Sequence, residues 1–394
     1  MILCYCYSRF SRGGHQLKNE VKEIIITGGP CSGKTKGIDF VKKKLEEMGW
    51  RVFAAREKAT DVILGGVRDL QELAKKDPQK YLELQKSILQ WQLDDAKNIR
   101  NLADIFKDEP RVILYDRGPQ DNKAYVPEGV FDGFLKELGL SARETCFDFD
   151  AVIYMVTAAD GAERYYNLAN TARSEKDLQD VRDLDARTLA AYIGHPHLYI
   201  IDNSTDWNGK LERLFKAVLR VLGIPEPLEI ERKFLVEGFC DEIIPAPFGI
   251  EMIDQIYVDI PDKGFGGLSG KSRIREVARN GCPDFYYLAQ KSGGASLVRG
   301  EREFDIRGQD FDFLMRYARS NRMPIVKIRY YFVYKYQYFS LDFFVDPSWA
   351  RGLYLLEIEL LDENDKVELP HFLNIVKEVT GDPEYTNSAI AKKR

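Results

Sequence analysis

The sequence predicts an α/β domain, a parallel sheet flanked by helices, followed by an α+β domain built on antiparallel strands. Three observations predict it. From Glu23 to Leu222, short β-branched or aliphatic runs alternate with amphipathic stretches, the pattern of strands joined by helical crossovers. That alternation stops at 223–227, where a glycine and two prolines end the last helix and mark a linker. Beyond it, strand-like segments follow one another in quick succession. Size agrees, because 394 residues exceed what one core usually organises. The expected division is a flexible leader over 1–20, one domain over 21–222, a linker over 223–227 and a second domain over 228–394.

In the first half the candidate strands are Ile24 to Thr27, Val52 to Ala55, Val112 to Tyr115, Val152 to Val156 and Leu198 to Ile201. Helices are expected over Lys36 to Met48 and Tyr81 to Phe106, where Leu82, Leu89, Leu93, Ala96 and Ile99 recur near helical spacing. In the second half the strands are Leu228 to Val236, Met252 to Val258, Ser272 to Val277, Phe285 to Gln290, Leu297 to Ile306, Val326 to Tyr336, Tyr338 to Phe344 and Tyr354 to Leu361. Two helices interrupt them, over Phe311 to Ser320 and His371 to Thr380.

Composition narrows the class. With 44% hydrophobic and 30% charged residues the chain reads as globular. A net charge of -5 from 57 basic and 62 acidic side chains argues against bulk nucleic acid as the main partner, so local clusters must carry any anion binding. No apolar run reaches bilayer-spanning length, and the Ile2 to Tyr7 run is too short for a signal-peptide core, so a cytoplasmic location is expected. Six cysteines without CxxC pairs read as reduced thiols, and any metal should be bound by oxygen. The leader with Cys4, Cys6, Arg9 and Arg12 is open to two readings, an unmodified frayed terminus or a palmitoylated peripheral membrane contact.

The first candidate site is the run Gly28, Gly29, Pro30, Cys31, Ser32, Gly33, Lys34, Thr35, which fits GxxxxGK[ST] between an apolar strand and an amphipathic helix. Glycines let the backbone curl around a phosphate, and the helix offers free N–H groups and the positive end of its dipole. Lys34 would reach the terminal phosphates and Thr35 would ligate Mg²⁺. Asp116 and Arg117 follow the third strand into a Gly118-Pro119 turn. There Asp116 is placed to hold Mg²⁺ through water or to accept a proton, or else merely to cap the turn. Arg164 and Arg173, in a polar helical stretch, are either a lid over the phosphates or solvated surface, and Asp202 and Asn203 either contact the nucleoside or turn the chain. The Asp-Arg-Gly turn, the stretch 170–173, His195 to Leu198 and Asp202-Asn203 resemble the kinase-like AAA-type P-loop family. That resemblance implies a purine triphosphate, GTP or ATP, with Mg²⁺. Asn122-Lys123-Ala124-Tyr125 lacks the aspartate of a guanine reader, so the base preference is not legible.

The second candidate site rests on strand periodicity, since residues two apart share a face. Glu229, Glu231 and Lys233 do so, as do Arg273 and Arg275; Arg299, Glu301 and Glu303; Lys327 and Arg329; and Glu357 and Glu359. Ile230, Ile274, Ile328 and Ile358 supply the opposite, apolar face. Turned inward, these charges make an interior in which the bases call for phosphates and the carboxylates for Mg²⁺ or Mn²⁺; the bland alternative is internal salt bridging with no ligand.

With a lone Lys291 and Asp342 added, this order of motifs resembles the CYTH, or triphosphate tunnel, superfamily. The resemblance implies an eight-stranded antiparallel β-tunnel that binds triphosphate groups, often hydrolysing them with a metal. It implies phosphate or phosphoinositide contacts at Lys233, Arg273, Arg275, Lys291, Arg299, Lys327 and Arg329. It assigns metal and water to Glu229, Glu231, Glu301, Glu303, Asp342, Glu357 and Glu359. The pairing of the two domains resembles an animal family for which GTP binding, phosphoinositide binding and a role in membrane-protein trafficking are implied. Two functional classes follow, a regulatory binding protein and a metal-dependent triphosphatase or P-loop phosphotransferase.

Overall fold

The computed structural model describes residues 21–67, 70–166, 177–224, 230–238, 243–266, 268–279, 282–292 and 300–392. The leader with Cys4 and Cys6, together with Arg173, Glu229 and Arg299, lies outside the described residues.

The first sheet is formed by β1 (Lys22–Thr27), β2 (Arg51–Ala55), β3 (Arg111–Asp116), β4 (Ala151–Met155) and β5 (Leu198–Ile201). Its order is β2-β3-β1-β4-β5, and every pairing is parallel. Around it stand α1 (Lys34–Glu47), α2 (Lys58–Leu64), α3 (Leu70–Lys76), α4 (Pro78–Asp104), α5 (Val130–Leu138), α6 (Leu178–Ala190) and α7 (Trp207–Leu222). β1 is central, and its three isoleucines serve both faces. Ile24 and Ile26 pack with Ile38, Val41 and Leu45 of α1 and Leu214 and Val218 of α7, whereas Ile25 packs with Ala96 and Ala103 of α4 and with Tyr192. The long α4 begins earlier than its apolar spacing indicates, because Asp77 accepts from the Lys80 amide and Pro78 fills the first turn, where a missing N–H costs nothing.

The second sheet holds β6 (Glu231–Glu237), β7 (Gly249–Phe265), β8 (Leu268–Arg279), β9 (Phe285–Ser292), β10 (Gly300–Ile306), β11 (Ile325–Tyr334), β12 (Gln337–Asp346), β13 (Tyr354–Glu359) and β14 (Asn374–Glu378). Its order is β10-β9-β8-β7-β11-β12-β13-β6-β14, antiparallel throughout. Of the two expected helices in this half, one is realised as α8 (Gly308–Leu314) with a 3₁₀ turn after it. The short α9 (Asn387–Ile390) closes the description.

Two expectations are corrected. The segment read as a helix over His371 to Thr380 contains β14, which carries the β-branched pair Ile375 and Val376 and pairs with β6. The eight-stranded tunnel is instead a nine-stranded sheet with β10 and β14 at its edges and no ladder joining them among the described residues. The physical reason is that a strand has two hydrogen-bonding edges. Those of β6 are taken by β13 and β14, so β10 has no edge of β6 to close on.

The two sheets meet through the β11–β12 hairpin. Val333, Tyr336 and Tyr338 pack against the Ile25 side of the first core. The Tyr338 hydroxyl accepts from the Gly194 amide at 2.8 Å and donates to the His195 carbonyl at 3.1 Å. Of the aromatic side chains on this hairpin, Tyr330, Tyr331, Phe332 and Phe339 are buried, whereas Tyr334, Tyr336 and Tyr338 are partly exposed.

Candidate phosphate-binding sites

After β1 the chain must reverse tightly before α1, and two glycines are required for it. Gly28 has φ 149 and a Cβ there would lie 2.0 Å from the Met155 carbonyl oxygen; Gly33 has φ 90 and its Cβ would meet the Trp207 ring at 2.4 Å. Lys34, the first residue of α1, is buried, and its ammonium donates to the Gly28 and Gly29 carbonyls at 3.1 and 3.3 Å. Burial lowers its pKa and nearby Arg117 adds to that, against the opposing pull of Glu57, Asp116 and Asp121. Thr35 Oγ1 donates to Asp116 Oδ2 at 3.0 Å. The other Asp116 oxygen and the Ser32 hydroxyl are buried without a hydrogen-bond partner among the described residues. Burial raises the Asp116 pKa, which Lys34 counters. An orphaned carboxylate oxygen beside a threonine hydroxyl is a donor set that fits a hard cation, and an orphaned hydroxyl in the loop fits a phosphate oxygen.

Behind the loop, Asp185 of α6 accepts from the Gly29 amide at 2.8 Å and from the Thr157 amide at 3.2 Å. Lys210 of α7 donates to the Val156 carbonyl and to Asn203 Oδ1, both at 2.7 Å, and burial lowers its pKa to about 8. Neither Asp185 nor Lys210 belongs to the motif, and nothing local in the sequence marks them. Arg117 is buried with φ 68 and is held between Glu57 and Asp121, the latter at 3.1 Å. Burial acts to raise the Glu57 carboxyl, but Arg117 and Lys34 hold it at about 2. Arg164 lies in a 3₁₀ turn (Glu163–Tyr165) instead of the expected helix, exposed, with its guanidinium 4.7 Å from the Tyr165 ring centre. Cys31, Ser32, Lys34, Thr35, Arg117 and Arg164 all line one cavity of about 1110 Å³ at the carboxyl ends of the parallel strands.

In the second sheet the strand register tests the shared-face reading directly. Reading across from β10, Glu303 faces Ala289, Ala289 faces Arg273, and Arg273 faces Tyr257. Gln255, on that same side of β7, lies opposite Arg275. Farther on, Glu251 faces Arg329, Arg329 faces Asp342, and Glu357 faces Lys233, with Glu359 opposite Glu231. Glu301 and Lys291 are partners in register. The predicted charges of Glu231, Lys233, Arg273, Arg275, Glu303, Lys327, Arg329, Asp342, Glu357 and Glu359 therefore fall on one face. Ile274, Ile328 and Ile358 lie on the other, packed in two apolar clusters.

At the centre of this face is a dense ionic cluster. Lys327 donates to Asp342 at 2.5 Å, Arg329 forks onto Asp342 at 2.6 and 2.7 Å and reaches Glu357 at 2.8 Å, and Lys233 meets Glu357 at 2.7 Å. Asp342 has no exposed surface. Burial and neighbouring Arg329 bring the Lys327 pKa down to about 8; burial opposes the charge of Lys233 too, but Glu357 and Glu231 raise it above the usual lysine range. Arg275 pairs with Glu303 on the β8–β10 side. Asp342 and Glu357 are thus ion-pair partners, and among the described residues no group of three or more acidic, histidine or cysteine side chains is gathered as for a metal. Glu231 and Glu359, opposed in register and partly exposed, are the acidic pair nearest to that role.

Fold and sites define a P-loop protein that carries a second, antiparallel domain with one ion-rich face. Residues 23–210 match the AAA domain family. Over 164 residues the chain is 30% identical to the inorganic triphosphatase of Acetivibrio thermocellus, covering 42% of this chain and 93% of that protein. The chain belongs to the family of that CYTH-type triphosphatase, joined here to an AAA-type P-loop domain. The crystal structure of the inorganic triphosphatase NE1496 is 28% identical over 42% of this chain and 95% of its own, with a TM-score of 0.29. The structure of PH1819 protein from Pyrococcus horikoshii OT3 is 24% identical over 34% and 80%, with a TM-score of 0.26. No helix among the described residues is long and apolar enough to cross a membrane.

Proposed function

We propose that the P-loop half binds a purine nucleoside triphosphate with Mg²⁺ and that the antiparallel half grips a triphosphate chain and cleaves it with a divalent metal. The observation that carries the second part is the buried cluster in which Lys233, Lys327 and Arg329 share two carboxylates, Asp342 and Glu357. The three cations are shared among these two carboxylates and, at 3.7 Å from Lys233, Glu231, and phosphate oxygens on the same face would compete for them with charge-assisted hydrogen bonds in a poorly solvated place. Arg273 and Arg275 extend the same face towards β10, and Lys291 and Arg299 join them on the family resemblance. Glu231 and Glu359, with Glu229, Glu301 and Glu303 from the same motifs, would hold the metal. A divalent cation there supplies charge neutralisation and a more acidic water. The likeness to a triphosphatase supports this reading.

The experiment is phosphate release from tripolyphosphate by the full chain with Mg²⁺ or Mn²⁺. Arg329→Ala should lower release by at least about 100-fold, since it removes a buried phosphate contact. Tripolyphosphate that binds in calorimetry yet survives unchanged would sink hydrolysis and leave binding alone.

A second reading is favoured by an exposed apolar row at the start of β7, Phe248 just before the strand and Ile250 and Met252 on it, a set of side chains suited to a lipid surface. With the resemblance of the domain pairing to the TRPL translocation defect protein, it makes the chain a GTP- and phosphoinositide-binding regulator of membrane-protein trafficking. Co-sedimentation with vesicles containing phosphoinositides, abolished by Ile250→Ser with Met252→Ser, supports it. Equal sedimentation with plain phosphatidylcholine vesicles defeats it.

A further inference from the structure

The cavity at the P-loop is larger than a nucleotide site needs and has two sides. At about 1110 Å³ it exceeds the range of roughly 300–1,000 Å³ usual for one small ligand. One side, over β4 and β5, is walled by Gly161 to Tyr165, Asn203 and Trp207. The other, over β3 and β2, runs past Lys34 into a chamber floored by Arg117 and walled by α2 and α4. There α4 presents Gln85, Ile88 and Gln92, three and seven residues apart on one helical face, with Gln85 and Ile88 buried. A nucleoside triphosphate held by the loop would bring its terminal phosphate to Lys34, which lines the same cavity as the chamber.

The chamber is a built polar site. The Glu57 carboxylate, delivered just past the carboxyl end of β2, is fixed by Arg117 and by Thr60 Oγ1 at 3.0 Å. Arg117 is in turn fixed by Asp121. Asn122 Nδ2 donates to Gln92 Oε1 at 2.5 Å, which orients that amide. Resting on the reading that the loop holds a nucleoside triphosphate, we propose that this chamber binds a neutral, nucleoside-sized acceptor whose hydroxyl receives the terminal phosphoryl group, with Glu57 as the proton acceptor. The acceptor oxygen forms a bond to the terminal phosphorus, the bond from that phosphorus to its bridging oxygen breaks, and the hydroxyl proton passes to Glu57. Nucleoside diphosphate and a phosphorylated acceptor leave.

Charge selects the acceptor class. Among the described residues of this side, the cation Arg117 already serves two carboxylates, so a second phosphate group entering the chamber would face Glu57 and Asp121. A neutral ring with hydroxyls instead suits the side-chain amides of Gln85 and Gln92 and the apolar wall of Ile63 and Ile88.

The test uses the full chain with γ-labelled ATP and GTP against the ribonucleosides and deoxyribonucleosides, and in parallel against their 5′-monophosphates. Label is expected on at least one nucleoside and on none of the monophosphates. Glu57→Gln should lower transfer by about 100-fold or more while nucleotide affinity stays within about twofold. Ala59→Phe, which narrows the chamber from α2, should weaken acceptor binding in the same way and guards against misfolding of the first variant. Nucleotide binding with no transfer to any nucleoside, transfer only to monophosphates, or full transfer by Glu57→Gln would each overturn the proposal. Failure to bind either nucleotide would overturn the reading of the loop instead.

Discussion

The hydroxyl of Tyr336, at the tip of the β11–β12 hairpin, donates to the carboxylate of Asp160 in the other half of the chain. The hairpin turn is two residues long, and both of them, Lys335 and Tyr336, have positive φ, at 49 and 58. That is the twist a tight hairpin favours, though side chains larger than glycine adopt it at a cost. On the same hairpin, Lys327 and Arg329 sit in the buried ionic cluster; beyond Asp160, its carbonyl accepts from Asn203 at 2.6 Å, a residue lining the nucleotide cavity. The hairpin thus carries part of the ionic cluster and reaches the nucleotide cavity through Asp160 and Asn203. Tripolyphosphate and nucleotide should change each other's affinity about fivefold or more, by the same factor in both directions. Tyr336→Phe should bring that factor close to one while leaving each separate affinity nearly unaltered. Calorimetric titrations of one ligand with the other present or absent measure it, and an undiminished factor in the variant rules the hairpin out as the link.

Asp116 carries a buried oxygen with no hydrogen-bond partner among the described residues beside one bonded to Thr35, so its role at a cation can be separated from its role in folding. Asp116→Asn keeps the shape and the hydrogen-bonding capacity towards Thr35 but removes the charge. Nucleotide affinity measured with Mg²⁺ should fall about tenfold or more, and affinity measured in chelator should hardly move. An equal loss in both conditions would assign Asp116 to the turn alone.

Asp185 reaches the loop from α6 and accepts from two backbone amides, those of Gly29 and Thr157. Asp185→Ala would strand both in a buried place, at about 1–3 kcal/mol for each. A lower melting temperature and weaker nucleotide binding should appear together, and Asp185→Asn, whose carbonyl oxygen still accepts, should recover most of both. Melting of Asp185→Ala at the parental temperature would show that the loop holds its shape without α6.

These three positions also mark what was legible in the sequence. The loop itself was, because its glycines and Lys34 are contiguous and flanked by a strand and a helix. The charged face was too, because a period of two survives in each strand separately, and the register only had to align them. Glu57 and Asp185 were not, since these single carboxylates find Arg117 and Gly29 across separations of 60 residues and 156 residues with no local pattern to show it. β14 was misread for a related reason: its pairing onto the free edge of β6 is a long-range choice, and the stretch around it has no strict alternation.

Lys327 gives the pH dependence. Its folded pKa of about 8 lies below the ordinary 10.5 because burial and Arg329 disfavour its charge. The unfolded chain therefore holds more protons between those two values, and this lysine makes stability rise as pH climbs from about 8 to 10.5, with no contribution to the slope below that window. Polyphosphate binding has the opposite demand. An anion on the cluster favours the charged ammonium and raises its pKa, so binding near pH 9 should draw in up to about one proton, whereas near pH 6.5 it should draw in none from this group. Calorimetry in buffers of differing ionisation enthalpy reads the uptake directly. Lys327→Met should remove it, and uptake unchanged in that variant would place the titrating group elsewhere on the face.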